Sequence, residues 1–289
     1  MLRLKSIGFG LVTILLGIGS AGAAAPKPNL PAGSIYVSLG SSFAAGPGIT
    51  SLAADSPARC GQSNDNYPRQ LAKALDLTLV DRSCGGATTV DVLQSGPLGQ
   101  PPQVDGLTPE TRLVTVTIGG NDIRYMADLA AGVCRSHPEV LAEAARARAC
   151  ATAVDFVLDR AFAKTADNLR AIAIEVRRRS KHARLVFVDY VTVLPPGPPC
   201  AALMVSDADA EELRGRAARL ARLTETVAKE FGADLIKASE LTRNHDACAA
   251  DPWTAGFVRV SSPWGPVSFH PRLPAMSAIA TALEKKLRE

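Results

Sequence analysis

Five short apolar runs, each nearly continuous in hydrophobic and β-branched residues, restrict what this chain can fold into more than any other feature. They are Ser34–Leu39, Leu77–Asp81, Arg112–Ile118, Arg184–Tyr190 and Asp234–Lys237. A strand with one wet face alternates in polarity; a strand apolar throughout is buried on both faces, as in a parallel sheet. Helix-like segments separate the runs. The pattern therefore predicts βαβ units and an α/β fold, a three-layer doubly wound sandwich around a central five-stranded parallel sheet.

Two helices are well marked. Asn66–Leu75 carries Leu71 and Leu75 one turn apart, and Asp207–Phe231 carries the stripe Leu213, Ala217, Leu220 and Leu223, with Ser206 as its cap and Gly232 after its end. The last helix is expected to start near His270-Pro271, where proline suits a first turn. The alanine- and arginine-rich stretch 127–179 is longer than a simple crossover and reads as an inserted helical subregion. Pro195 to Pro199 reads as a rigid loop after the fourth strand.

The 289 residues are 47% hydrophobic and 21% charged, enough for one packed domain, assigned to residues 33–289. Residues 1–24 read as a secretory signal: Arg3 and Lys5 form a positive start, Ile7 to Ile18 an apolar centre, and Ala21-Gly22-Ala23 a small-residue cleavage site. The apolar centre is short for a membrane span. A retained anchor is the alternative. Residues 25–32 follow as a short tether. The small net charge of +4 argues against a nucleic-acid partner. Six cysteines, none in Cys-x-x-Cys spacing, point to an exported, disulfide-bonded protein rather than a zinc site. Six cysteines allow 15 connectivities. The sequential pairing Cys60–Cys84, Cys134–Cys150 and Cys200–Cys248 closes the smallest loops and is the one favoured here.

Three stretches carry chemistry together. Gly40-Ser41-Ser42-Phe43 follows the first strand, Gly119-Gly120-Asn121-Asp122 ends the third, and Ser268-Phe269-His270-Pro271 lies near the C-terminus. Carboxyl ends of strands are where open α/β sheets place their sites. Serine needs a base to become a nucleophile, and Asn121 offers an uncharged N–H donor suited to an oxyanion. A serine opening a helix also has the dipole and free N–H groups beneath it. A fourth stretch, Cys84-Gly85-Gly86-Ala87-Thr88-Thr89, can present a glycine N–H. Of the four histidines, His270 has the best context for a base; His137, His182 and His245 lie in polar surroundings. Each motif alone has an ordinary explanation as a turn or a helix cap.

In order and spacing the four motifs resemble the SGNH hydrolases, or GDSL esterase/lipase family, over nearly the whole mature chain. Ser42, Gly86, Asn121 and His270 stand at its four named positions. The cysteines and the Gly-Gly-Ala-Thr-Thr wording are similar to the secreted actinobacterial-type esterases and lipases. The resemblance implies a flavodoxin-like fold, disulfides joining consecutive cysteines, a serine nucleophile and no cofactor or metal. The oxyanion hole it implies is made of the Ser42 N–H, the Gly86 N–H and the Asn121 side chain. Two positions depart from it. Ser41 stands where aspartate is usual, and Val267 where many members have the aspartate that orients the histidine. A Ser42–His270 dyad is therefore expected, with the main-chain carbonyl of Val267 orienting the ring. Asp246 and Asp251 are the alternative third members.

The function expected is a secreted or periplasmic serine ester hydrolase acting on lipid or simple carboxylic esters. Its partner is a small-molecule or lipid ester, with transient membrane-surface contact for a lipid, and its state a monomer. A carbohydrate O-acetylesterase and a non-catalytic exported binding module are the alternatives. Substrate choice should fall to the loops Gly46–Asn64, Ser95–Leu107 and Pro195–Ser206 and to the inserted region.

Overall fold

The computed structural model of the chain describes residues 2, 30–96, 99–150, 156–259 and 265–289. The leader read at residues 1–24, Leu2 apart, and its cleavage near Ala23 lie outside them. Five strands form one parallel sheet: β1 (Ile35–Gly40), β2 (Thr78–Asp81), β3 (Thr111–Thr117), β4 (Arg184–Val188) and β5 (Asp234–Ile236). The spatial order is β2-β1-β3-β4-β5, and each apolar run supplies one strand. The register sets Val37 beside Val80 and Val114, and Val116 beside Phe187. The chain reverses direction of winding at β1, which places the loops after β1 and β3 next to each other.

Nine helices are described: α1 (Ser42–Ala45), α2 (Tyr67–Ala74), α3 (Thr89–Leu93), α4 (Tyr125–Ser136), α5 (Glu143–Ala149), α6 (Leu158–Arg179), α7 (Asp207–Glu230), α8 (Ala238–Leu241) and α9 (Leu273–Arg288). Strand side chains alternate between two apolar cores. Tyr36, Leu113, Val186 and Ile236 face α2 and α9, where Leu71, Met276, Ile279 and Leu283 are buried. Val37, Leu39, Val114, Val116 and Phe187 face α3, α6 and the end of α7, where Val92, Leu169, Ile172, Val176 and Val227 are buried. Both faces of the sheet are covered, so apolar character is nearly continuous along the strands.

The stretch expected as an insertion divides in two. Helix α6 is the crossover from β3 to β4, with Leu169, Ile172, Ala173 and Val176 packed on the sheet. The added part is α4 and α5, joined by Cys134–Cys150. The other cysteines pair as Cys60–Cys84 and Cys200–Cys248.

The last helix begins later than expected. Arg272 caps α9 and Pro274 occupies its first turn. Pro271 instead forms an antiparallel bridge with Thr254. His270 thus sits in a turn before the helix, not in its first turn.

Candidate active site

Strand β1 ends at Gly40, whose φ of +157° lets the chain turn hard against β3; a Cβ there would stand 2.6 Å from the Thr117 carbonyl. The side-chain amide of Gln103 accepts from the Gly40 N–H at 2.7 Å and donates to its carbonyl at 2.9 Å. Ser41 N–H donates to the Thr117 carbonyl at 2.9 Å. Ser42 is thereby delivered at the top of the sheet, 6% exposed. It opens α1, which is one turn long and ends at Gly46 in the left-handed region. One turn sums few peptide dipoles, so the asset here is the free Ser42 N–H rather than a macrodipole.

His270 reaches Ser42 from the other end of the chain, with Nε2 2.8 Å from Ser42 Oγ. Its Nδ1 lies 2.7 Å from the carbonyl oxygen of Ser268. A carbonyl only accepts, so Nδ1 carries the hydrogen and Nε2 is left free to accept from the serine hydroxyl. This corrects the sequence expectation, which assigned the Val267 carbonyl. That carbonyl already accepts the backbone N–H of His270 at 3.2 Å, closing the turn. Phe269, at φ +63°, swings the next carbonyl, that of Ser268, toward the ring. Asp246 and Asp251 serve elsewhere: Asp246 accepts from the Cys248 N–H and Asp251 from the Trp253 indole.

The His270 turn is held by a neighbouring segment. Ala255 N–H donates to the His270 carbonyl, Phe269 N–H to Gly256, Arg272 N–H to Trp253, and Val258 N–H to Ser268 Oγ. Phe43 packs against the imidazole at 5.1 Å between ring centres. Burial lowers the His270 pKa below its usual 6.5, and the Ser268 carbonyl opposes this in part.

Asn121 is tied to the residue after Gly86. Asn121 Nδ2 donates to the Ala87 carbonyl at 2.9 Å, which uses one amide hydrogen and leaves the other. Gly86 has φ +81°, so its N–H is turned by a conformation that favours glycine. Among the described residues neither the Ser42 nor the Gly86 N–H donates within the protein. Asp122 accepts from the Thr89 N–H and hydroxyl at the start of α3, while Asn168 of α6 donates to the same hydroxyl at 2.7 Å. Burial raises the Asp122 pKa to about 6.

One residue escaped the sequence reading. Tyr190, just past β4, lies beneath Phe43 at 4.4 Å between ring centres, its hydroxyl within hydrogen-bond distance of Ser41 and Gly120. Only its place at a strand end could have drawn attention to it.

The other histidines stay apart from this site: His137 approaches Glu139, His182 is exposed, and His245 stacks on Trp253 at 3.8 Å. Among the described residues no group of three or more His, Cys, Asp or Glu side chains could hold a metal ion.

Known proteins resemble this chain in sequence and in fold. The sequence profile of the GDSL-like lipase/acylhydrolase family matches residues 38–273. Lipase 2 of Streptomyces coelicolor is 33% identical over 248 residues, covering 82% of this chain and 81% of that protein. The lipase of Streptomyces rimosus is 26% identical over 84% of each chain. Among solved structures, phospholipase A1 from Streptomyces albidoflavus superposes with a TM-score of 0.69 at 23% identity, over 88% of this chain and 99% of that one, and shares the fold. The chain belongs to the GDSL-like lipase/acylhydrolase family and is a carboxylic ester hydrolase.

Proposed function

We propose that Ser42 is the nucleophile and His270 the general base of an acyl-serine mechanism. The observation that carries this reading is the 2.8 Å contact between His270 Nε2 and Ser42 Oγ, with Nδ1 held by a carbonyl. Ser42 Oγ attacks the ester carbonyl as its proton passes to Nε2. The tetrahedral oxyanion is met by the Ser42 N–H, the Gly86 N–H and the free hydrogen of the Asn121 amide. The imidazolium then protonates the departing alcohol, leaving the acyl group on Ser42. Water then gives a proton to Nε2 and attacks the acyl carbon; Ser42 Oγ leaves, takes the proton back from His270, and the acid is released. The Ser268 carbonyl fixes the tautomer, though a neutral dipole stabilises imidazolium less than a carboxylate would.

Lipid or simple acyl esters are the substrate class we favour. The lipases and the phospholipase among similar proteins support this. Export is supported by the three disulfides and by the N-terminal sequence; cleavage near Ala23 and a monomeric product belong to the same proposal. Among the described residues no helix is long and apolar enough to cross a membrane.

The test is labelling with a fluorophosphonate. The oxidised protein should gain one adduct, on Ser42, and Ser42→Ala should gain none and hydrolyse no p-nitrophenyl ester. Labelling elsewhere, or full activity in Ser42→Ala, would refute the assignment. A chain-length series then reads the substrate: a sharp optimum at acetate would favour a carbohydrate O-acetylesterase.

A further inference from the structure

We infer that Tyr190 is a positioning residue, whose hydroxyl holds the nucleophile and the amide oxyanion donor in register on one substrate carbonyl. The inference rests on the Ser42–His270 reading above and extends it to a side chain that touches neither.

The geometry converges on a single oxygen. Tyr190 Oη lies 2.8 Å from Ser41 Oγ and accepts from the Gly120 N–H at 3.0 Å. Ser41 immediately precedes Ser42, and Gly120 immediately precedes Asn121. The loops after β1 and after β3 are thus tied, each one residue short of its functional side chain, to a phenol supplied by the end of β4. The sheet aligns these loops only as far as Gly40 and Thr117, where the register between β1 and β3 ends. One further backbone bond, from Ser41 N–H to the Thr117 carbonyl, extends that alignment, and the Tyr190 node joins the side chain of Ser41 to Gly120 beyond it.

The ring adds a steric constraint. A Cβ on Gly120 would stand 2.6 Å from Tyr190 Cε1, so a glycine is what admits the ring to this place. Phe43 packs on the ring at 4.4 Å between ring centres and itself lies 5.1 Å from His270. The phenol is neutral at any working pH, because burial pushes its ionisation well above the usual value of 10. It can therefore share a hydrogen with Ser41, itself fully buried and neutral. Ser41 stands at the position where the family usually has aspartate, and a neutral hydroxyl pair occupies it without burying a charge.

Nucleophile and oxyanion donor must meet one carbonyl, and a misplacement of about 1 Å can cost roughly 10²-fold in rate. Tyr190→Phe keeps the ring, its packing on Phe43 and its clearance from Gly120, and deletes only the oxygen. Measured per active site, it should lower kcat by about 10-fold to 100-fold and leave KM within about twofold. The rate of fluorophosphonate labelling should fall in parallel, because the P–O oxygen uses the same donors. The acid limb of the pH profile should stay in place, since both nitrogens of His270 keep their partners.

Ser41→Ala should give a smaller loss of the same kind, and the double variant should be no slower than Tyr190→Phe within about twofold, as members of one unit are not additive. A purely structural role would lower Tm while leaving kcat per active site unchanged. That result, or losses that multiply in the double variant, would overturn the inference. Should Tyr190→Phe fail to fold, Ser41→Ala carries the test from the other end of the bond, and wild-type kcat there would overturn it. Failure of the wild-type protein to label on Ser42 would instead refute the nucleophile assignment itself.

Discussion

At the scale of single residues, the site depends on which groups are kept neutral. His270 must be unprotonated to take the serine proton, and burial disfavours its charged form. The acid limb of kcat/KM should therefore have its midpoint below 6.5, the ordinary histidine value. A midpoint above 6.5 would mean that an anion faces the ring. The same shift bears on stability. Between the lowered folded value and 6.5 the unfolded chain binds more protons, so this contribution is present above 6.5 and is lost as pH falls through that window. Ser42, Gly86 and Asn121 stand out in sequence because short motifs after strands carry them, and His270 because it follows the apolar Val267 and Phe269; the structure sets His270 beside Ser42. The Ser268 carbonyl was missed by one residue. A main-chain acceptor leaves no mark in side-chain identity, and the positive φ of Phe269 that aims it is not a pattern phenylalanine announces.

Strands were the most readable elements, since burial on two faces leaves a nearly continuous apolar run. The helix after His270 was misplaced because two prolines, Pro271 and Pro274, both suit a helix start, and a tertiary bridge to Thr254 claims the first. The insertion was overdrawn because α6 is amphipathic like any exposed helix, and only its contact with the sheet shows which face is covered. Among connecting elements, the Cys60–Cys84 bridge stands closest to the chemistry. It anchors the loop carrying Gly86, and Gly85 N–H donates to the Cys60 carbonyl at 2.9 Å. Replacing both cysteines by alanine should lower kcat for p-nitrophenyl esters by about 10-fold, through a loosened oxyanion donor. The Cys134/Cys150 double alanine variant should lose Tm with little loss of kcat. Equal kcat in the two variants would count against the link to Gly86.

Over the whole molecule, Arg184 joins parts that are far apart in sequence. Its guanidinium lies 2.6 Å from Asp234 of β5 and donates to the carbonyls of Lys286 and Leu287 at the end of α9. The side chain is 4% exposed, so the pair is shielded from water. Removing one partner of a buried pair strands the other, and Arg184→Met should cost about 3 kcal/mol. In a domain of this size, that lowers Tm by on the order of 10 °C. Unchanged Tm would show that water replaces the guanidinium. The fold-level reading of the sequence succeeded because layer order follows from the alternation of strands and helices. Long-range ties such as Arg184 to α9 and Tyr190 to two loops were invisible to it, since they join residues whose neighbours in sequence carry no shared pattern.

The carbonyl that holds His270 has a consequence for how this protein tolerates genetic change. In a triad with a side-chain acid, a single codon change deletes the third member. Here that member belongs to the peptide backbone at Ser268, and every amino acid supplies it. Loss-of-function screens should therefore return hits at Ser42 and His270, while substitutions at residue 268 should act on the ring only through the Ser268 Oγ bond that pins its turn. The vulnerable position is its neighbour: a β-branched residue at 269 would resist φ +63°, whereas glycine would adopt it freely. The orienting group is thus inherited as a shape rather than as a letter.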